Sequence, residues 1–592
     1  MRTVEEWEEF FDGFKDNLAP VVYDAGPSLT VTDADPRVHS EQTAWARQMG
    51  KRIYMPVAGR VYTAVGYQLC SPTMVVGDDG LIIIDPGFND GAASEVMTDF
   101  RKFSDLPVRA VVYTHRHPDH AFAISGLGVS KEDVHEGRVD VITHESFTDW
   151  LINDASLIGP ILGARSSLVT VVPVGPDGSV HGGLGPLFKP APVSTFMPTI
   201  TVGESEDLVI AGVRMTVFHA YGDAQDEIDA WFSDLKHVHG SETIQGESFP
   251  NLYTLRGTAY RDVELWRQGV DRLLDHAGGA DSYSGSHMRP WVGNAFITER
   301  ITNYRDAIQF LHDQTVRHIN KGFTREELDL VAKSLPVHLR TDPWLQPYYG
   351  TPEHSVRNIY DGLLGWYQGD PTELATPAHH DKAARYVDAL GGRDSVLAAA
   401  QKAIDAGERG WAMEILTHVV RVNHDDTEAR RLKAAAMRAW AFQQKNMYWR
   451  NLALGGALEL EDAIDSAKSL SFSPPDIVAL FPPEKIIDAL RVRVDAAAAE
   501  HAHVTVGFVF TDTGTSAALE IRRGVAVLRT DIPADAAATV TTTAEALRSL
   551  VAAGGDTLTI VDSPVATTSG NAAEFVACFE PIPIEPIRLV VR

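Results

Sequence analysis

Cysteine is nearly missing from this chain. Cys70 and Cys578, far apart, are the only two among 592 residues. That excludes a disulfide framework and a cysteine-rich zinc site, and both thiols are expected to be buried. Long apolar runs are missing too. No stretch approaches the ~18 apolar residues that suggest a membrane span. The opening Met1-Arg2-Thr3-Val4-Glu5-Glu6-Trp7-Glu8-Glu9 is acidic and amphipathic, without a signal-peptide core, so a cytoplasmic protein is expected. Basic charge is scarce: 52 lysines and arginines stand against 80 acids, a formal net charge of −28. No basic run offsets this, which makes nucleic acid and anionic membranes poor partners.

What is present is ordinary in bulk, with 44% apolar and 22% charged residues, as in a globular protein. Hydrophobic cores stop growing near ~250–300 residues, so several domains are expected. Residues 1–50 are polar and read as an arm or lid. From Gly59 the pattern changes. Arg60–Val65 alternates, Met74-Val75-Val76 is a short apolar stretch, and Gly80-Leu81-Ile82-Ile83-Ile84-Asp85-Pro86-Gly87 is a β-branched run ending in a turn. Residues 90–103 read as a helix and 108–114 as another buried strand; strand–helix–strand order predicts an α/β layered domain. From about Glu299 the periodicity is helical, with a helix start at Thr324-Arg325-Glu326-Glu327. Ser473-Pro474-Pro475 marks a linker, and alternation at 504–510, 518–521 and 525–529 predicts a small α+β domain. The divisions are 1–298, 299–472 and 473–592.

The stretch that carries chemistry is Thr114-His115-Arg116-His117-Pro118-Asp119-His120, directly after a buried strand. Isolated histidines are usually satisfied polar groups. Three histidines and an aspartate within six residues, on a loop at a strand's carboxyl end, read instead as metal ligands. His115 and His117 can face one ion, Asp119 and His120 an adjacent one. Neutral imidazoles with a carboxylate suit zinc, and less well iron or manganese. Two ions ~3.5–4 Å apart trap a bridging hydroxide and polarise an ester oxygen.

This motif, with Gly80–Gly87 before it, resembles the metallo-β-lactamase superfamily. Asn251 with Thr254-Leu255-Arg256-Gly257, then Asn320-Lys321-Gly322-Phe323-Thr324, Tyr349-Gly350-Thr351 with His354, and Leu364-Gly365-Trp366-Tyr367-Gln368-Gly369-Asp370-Pro371 narrow the resemblance to its alkylsulfatase (type III sulfatase) group. Phe508-Val509-Phe510-Thr511-Asp512-Thr513-Gly514 fits that group's last domain. The resemblance implies an α/β fold: a metallo-β-lactamase αββα sandwich, then an all-α dimerisation domain, then a sterol-carrier-like α+β domain. It also implies two zinc ions per chain and a homodimer.

The resemblance extends to further ligands. Within Asp226-Glu227-Ile228-Asp229-Ala230-Trp231-Phe232 it points to Glu227, with Asp226 the nearest rival. Upstream of Asn251 it points to Glu242, with Glu247 the alternative. In Ser286-His287-Met288-Arg289-Pro290-Trp291 it points to His287. The expected assignment is His115, His117 and Glu227 on one metal, Asp119, His120 and His287 on the other, and Glu242 bridging. Asn251 and Arg256 are the expected sulfate-binding pair, since a guanidinium meets a tetrahedral oxyanion with two parallel hydrogen bonds. Arg261 and His354 are further candidates for the same pocket. Asp119, Asn251 and Arg256 are the residues expected to serve catalysis.

The departures from the group fall on the substrate side. Leu168-Val169 stands where relatives carry Tyr-Gly, the second metal segment around Glu227 is shorter, and an insertion precedes the Arg256 region. Separately, Arg116 and Pro118 stand between the ligands where smaller residues are more usual, and Arg116 is expected either to project into the mouth of the site or to brace the loop from outside. Hydrolysis of an alkyl sulfate by a metal-bridged water is therefore the first reading. A related hydrolase of aryl sulfates, phosphoesters or other anionic esters is the second. A lipid-binding protein with a vestigial metal site is the third.

Overall fold

The structure, a computed structural model, describes residues 2–28, 33–170, 172–187, 189–464, 475–581 and 587–591. The linker read at Ser473-Pro474-Pro475 lies, through Pro474, outside the described residues. Two sheets form the centre of the first half. One has eight strands in sequence order: β1 (Val21–Gly26), β2 (Lys51–Val57), β3 (Val61–Val65), β4 (Thr73–Val76), β5 (Leu81–Ile84), β6 (Val108–Val112), β7 (Asp140–His144) and β8 (Ile200–Val202). The other holds β9 (Ser205–Ile210), β10 (Val213–His219), β11 (Ile228–Phe232), β12 (His237–His239), β13 (Ser282–Ser284) and β14 (Trp291–Val292).

The β-branched run at 81–84 shows why a sandwich forms. Successive side chains point to opposite faces. Leu81 and Ile83 pack with the covering helices, whereas Ile82 and Ile84 join Ala110, Val112, Val213, Met215 and Ile228 between the sheets. All four are fully buried, each worth about 1.5–3 kcal/mol of transfer free energy. Strands β5 to β8 run parallel, linked through helices such as Asp90–Phe100 and Phe147–Ser156. The carboxyl ends of β5 and β6 therefore open together at one rim.

The N-terminal fifty residues are not a free arm. Strand β1 pairs antiparallel with β2 at the sheet edge, and the helix Ser40–Gln48 buries Ala44, Trp45 and Ala46. Their polar composition hid this because an edge strand needs few apolar residues and the helix buries the polar Glu41, Gln42 and Thr43 along with its apolar side chains. The expected boundary at 298/299 falls inside one helix, Asn294–Ile319. Its Ile297, Ile301 and Ile308 share a core with Phe218, Val238 and Tyr283 of the second sheet, and that core continues to Ile359 and Tyr360.

Beyond residue 390 the helices Arg393–Asp405, Arg409–Val422, Thr427–Ala441 and Met447–Leu460 pack on one another. The last of these also lies against the helix Gly159–Thr170. Gly455 permits the contact, since a Cβ there would stand 1.8 Å from the Leu168 carbonyl oxygen. A third sheet, ordered β17 (Val525–Arg529), β16 (Thr515–Arg522), β15 (His503–Phe510), β18 (Ala538–Thr542), β19 (Thr567–Gly570), carries the helix Ala544–Ala552. Among the described residues no helix is long and apolar enough to cross a membrane.

Candidate metal centre

Strand β6 runs into Tyr113 and Thr114, and the chain then turns through His115–His117 into the short helix Pro118–Ala121, with proline at its first turn. Asp85, just past β5, holds this loop. Its Oδ1 accepts from the Thr114 backbone N–H at 3.1 Å, and its Oδ2 accepts from Thr114 Oγ1, Ser286 Oγ and His120 Nδ1 at 3.1, 2.6 and 2.9 Å. Asp85 therefore orients the loop and does not join the ligand clusters.

Each tautomer follows from its partner. His120 Nδ1 donates to Asp85, so its Nε2 is the lone-pair nitrogen. His287 Nδ1 donates to the Leu69 carbonyl at 2.8 Å, with the same result. His115 Nδ1 lies 3.1 Å from Thr114 Oγ1, whose proton is given to Asp85, so His115 Nε2 is again unprotonated. Such outer partners fix the ring orientation of metal-binding histidines.

The lone pairs converge in two clusters: Asp119, His120, Glu242 and His287, and beside it His115, His117 and Asp223. His120 Nε2 lies 2.8 Å from Glu242 Oε1 and 3.3 Å from Asp119 Oδ2; His287 Nε2 lies 2.5 and 3.4 Å from the same two atoms. His117 Nδ1 is 2.9 Å from His115 Nε2 and 3.0 Å from Asp223 Oδ2. The His115 and His120 rings, one from each cluster, lie 4.1 Å apart between centroids. His120 Nε2 is buried without a hydrogen-bond partner among the described residues. Lone pairs facing lone pairs at these distances require a cation or a proton between them. Burial opposes charge on His120 and His287, yet Asp119 and Asp85 outweigh it at His120 and Glu242 at His287, raising both pKa values. Burial and the nearby His120 hold His115 well below the usual range. The carboxylate-rich cluster demands positive charge and the other offers neutral imidazoles, so the donor set fits a pair of divalent ions.

The structure brings together six of the seven expected ligands: His115, His117, Asp119, His120, Glu242 and His287. The seventh, Glu227, stands outside both clusters. Its Oε1 accepts from the Glu242 backbone N–H, and burial together with Asp229 and Glu242 pushes its pKa well up. Asp223 occupies the place expected of Glu227. The two rivals are engaged elsewhere. Asp226 accepts from the Arg116 backbone N–H at 2.9 Å and pairs with its guanidinium. Glu247 is held by Arg289 through Nε and Nη2 at 2.8 and 2.7 Å. Arg116, fully buried, also donates to Asp154 Oδ2 at 2.8 Å and to Gln225, bracing the metal loop from behind.

Gln245, a residue the sequence did not single out, ties the clusters together. Its Nε2 donates to Asp223 Oδ1 at 2.5 Å and to Glu242 Oε2 at 2.9 Å, while its Oε1 accepts from the Asn251 backbone N–H at 2.8 Å.

Family models match along the chain in this order: the metallo-beta-lactamase superfamily at 66–212, alkyl sulfatase dimerisation at 324–463, and alkyl sulfatase C-terminal at 471–582. A linear primary-alkylsulfatase of Pseudomonas sp. (strain ATCC 19151) is 38% identical over 470 residues, covering 78% of this chain and 88% of the relative. The chain belongs to the alkylsulfatase family. An (R)-specific secondary-alkylsulfatase of Pseudomonas sp. is 27% identical over 88% of this chain and 79% of its own length. The solved structure of a stereoselective inverting sec-alkylsulfatase from Pseudomonas sp. shares the fold at a TM-score of 0.87, with 24% identity over 99% of this chain and 95% of that one.

Within this alkylsulfatase frame, the four residues expected on the substrate side differ in situation. Arg256 Nη1 donates to hydroxyls, Thr254 Oγ1 at 3.2 Å and Tyr349 OH at 3.5 Å. It acts electrostatically on His117, and Asp223 and Asp119 act on it. Asn251 is buried, and its Nδ2 has no hydrogen-bond partner among the described residues. Arg261 instead clamps the scaffold: Nη1 donates to the Asn251 carbonyl at 2.6 Å and Nη2 to Asp223 Oδ2 at 2.8 Å. His354 spends both ring nitrogens on protein, Nε2 at 3.1 Å from Asn251 Oδ1 and Nδ1 at 3.2 Å from Trp449 Nε1.

Proposed function

We propose that the chain hydrolyses alkyl sulfate esters at a dinuclear zinc site. His115, His117 and Asp223 hold one ion, and Asp119, His120 and His287 the other, with Glu242 beside them. The observation that carries this reading is the pairing of two ligand clusters with a neighbouring arginine bonded to hydroxyls rather than to carboxylates. Bound divalent ions supply an acidified water and draw charge from the ester oxygens. The chain's own part is to hold and orient the ester. Arg256 and the Asn251 amide meet the sulfate oxygens and stabilise charge that grows there. Leu184, Tyr349 and Tyr448, with Val169 and Leu255 against them, form an apolar wall beside Arg256 that suits a hydrocarbon chain.

Purified zinc-loaded protein is expected to release sulfate from linear alkyl sulfates, and His115→Ala is expected to abolish release. Release from phosphoesters or aryl sulfates alone would favour the second reading. Intact metal loading with no turnover of any ester would leave a binding protein.

The same reading includes a homodimer, a cytoplasmic location, a sterol-carrier-like C-terminal domain, and a domain division near 472. The dimer rests on the dimerisation family match and on exposed apolar side chains within it, Leu363, Leu364, Trp366 and Leu374, each at least half exposed. Such a patch is costly to leave in water. Sedimentation is expected to show two chains per particle; a monomer at micromolar concentration would remove this part.

A further inference from the structure

Trp449 lies on the helix Met447–Leu460, His354 on the helix Pro352–Leu364, and Asn251 on the loop after β12. All three meet in one line of hydrogen bonds. The indole Nε1–H is a donor only. It lies 3.2 Å from His354 Nδ1, which must therefore accept. Burial keeps the His354 ring neutral, its pKa pushed down to about 3. A neutral imidazole that accepts at Nδ1 carries its proton on Nε2. That proton points at Asn251, 3.1 Å away, and can be received only by the amide oxygen. The amide nitrogen is thereby turned the other way, where it is buried without a partner. The Asn251 backbone is pinned independently, its N–H by Gln245 and its carbonyl by Arg261. Only the amide's rotational sense is left to be set.

We infer that Trp449 is a positioning residue. Through the His354 tautomer it fixes which end of the Asn251 amide faces the substrate anion, so the helical region takes part in sulfate recognition as well as assembly. If the indole donor is lost, His354 can carry its proton on Nδ1. Nε2 then attracts the Asn251 NH2 group, and the amide oxygen turns toward the anion in place of the nitrogen. An attractive contact becomes a repulsive one. The stack of Trp440 on Trp449, with centroids 5.8 Å apart and planes 23° apart, holds the indole in its donor position.

This inference rests on the sulfate-binding role proposed for Asn251. It is tested by a cycle of Trp449→Phe, Asn251→Ala and the double variant, with metal content and melting point measured for each. Inhibition by inorganic sulfate and KM and kcat for an alkyl sulfate are the readouts. In the wild-type background Trp449→Phe is expected to weaken sulfate inhibition and raise KM about 10- to 100-fold, the worth of one hydrogen bond to an anion. In the Asn251→Ala background it is expected to change neither. Equal losses in both backgrounds, or no loss in either, would overturn the inference. Should Trp449→Phe fold poorly, His354→Ala, which removes the link between the indole and Asn251, provides a second arm. It is expected to weaken sulfate inhibition in the wild-type background and to change nothing in the Asn251→Ala background, and equal losses in both would overturn the inference. Failure of the wild type to hydrolyse any sulfate ester would instead sink the sulfatase reading, and sulfate binding measured by calorimetry would still decide the role of Trp449.

Discussion

Asp223→Asn is expected to hold one zinc per chain instead of two and to lose alkyl sulfate turnover by more than the roughly 100-fold that removing a partner behind a ligand costs. The Asp223 carboxylate faces His117 at 3.0 Å on one side, and Arg261 and Gln245 on the other. Asparagine keeps an oxygen for Arg261, so the buried guanidinium retains an acceptor and the fold survives. It removes the charge that a divalent ion needs. The matched control is Glu227→Gln. Glu227 is fully buried, its pKa is pushed up by burial, Asp229 and Glu242, and its Oε1 accepts from the Glu242 backbone N–H. Glutamine reproduces that acceptor. Two metals per chain and a loss of activity under about 10-fold are expected, the range for a modest change in one buried hydrogen bond. Metal analysis on both variants decides between the carboxylates. The opposite result, one metal in Glu227→Gln and two in Asp223→Asn, would restore Glu227 as the ligand.

Arg256→Lys is expected to lower kcat/KM for alkyl sulfates about 100- to 1000-fold while leaving both metals bound, the scale seen when one donor to a developing oxyanion is removed. The charge is kept in this variant, and what is lost is the fork. A guanidinium presents parallel donors to two oxygens of a tetrahedral anion, whereas an ammonium is a point charge on a flexible stem. The neighbours of Arg256 are hydroxyls of Thr254 and Tyr349, which leave the guanidinium's charge for an incoming anion. Arg116, Arg261 and Arg289 are each paired with buried carboxylates. Steady-state kinetics with a linear alkyl sulfate and inhibition by inorganic sulfate measure the effect. An unchanged kcat/KM would remove Arg256 from the sulfate site.

The part of the site that was legible in the sequence is the part built from neighbours in the chain. A His-x-His-x-Asp-His loop at the end of a buried strand has little freedom: its ligands lie within six residues and must splay from one turn. His287 and Glu242 were legible through the resemblance, each within a distinctive local motif. The carboxylate beside His115 and His117 was not. Asp223, Asp226, Glu227 and Asp229 crowd one loop and strand, and sequence spacing does not say which way each points. Gly222 was the available signal. A Cβ there would stand 2.3 Å from Glu227 Oε2, so the glycine lets the loop close with Glu227 folded under it and Asp223 turned to the histidines. For Arg116 the sequence left two readings open, projection into the site or bracing of the loop, because the partners that decide for bracing, Asp154 and Asp226, come from a separate helix and loop.

The sequence by itself determined the layered α/β class and the gathering of four potential metal ligands on one loop after a buried strand; the roles proposed for Glu242, His287, Asn251 and Arg256 came from the resemblance. These are written in short-range patterns: a period of two along buried strands, ligands within one turn, and motifs a few residues long. Only the tertiary structure decided which acid completes the first cluster, that Arg261 braces Asp223, that Glu247 belongs to Arg289, and that Trp449 reaches across to His354. Each of those choices joins residues from different elements, some of them far apart in the chain, as Trp449 is 95 positions from His354. Such pairings depend on how helices and sheets pack, because a buried charge or amide takes whichever partner the packing brings within hydrogen-bond reach.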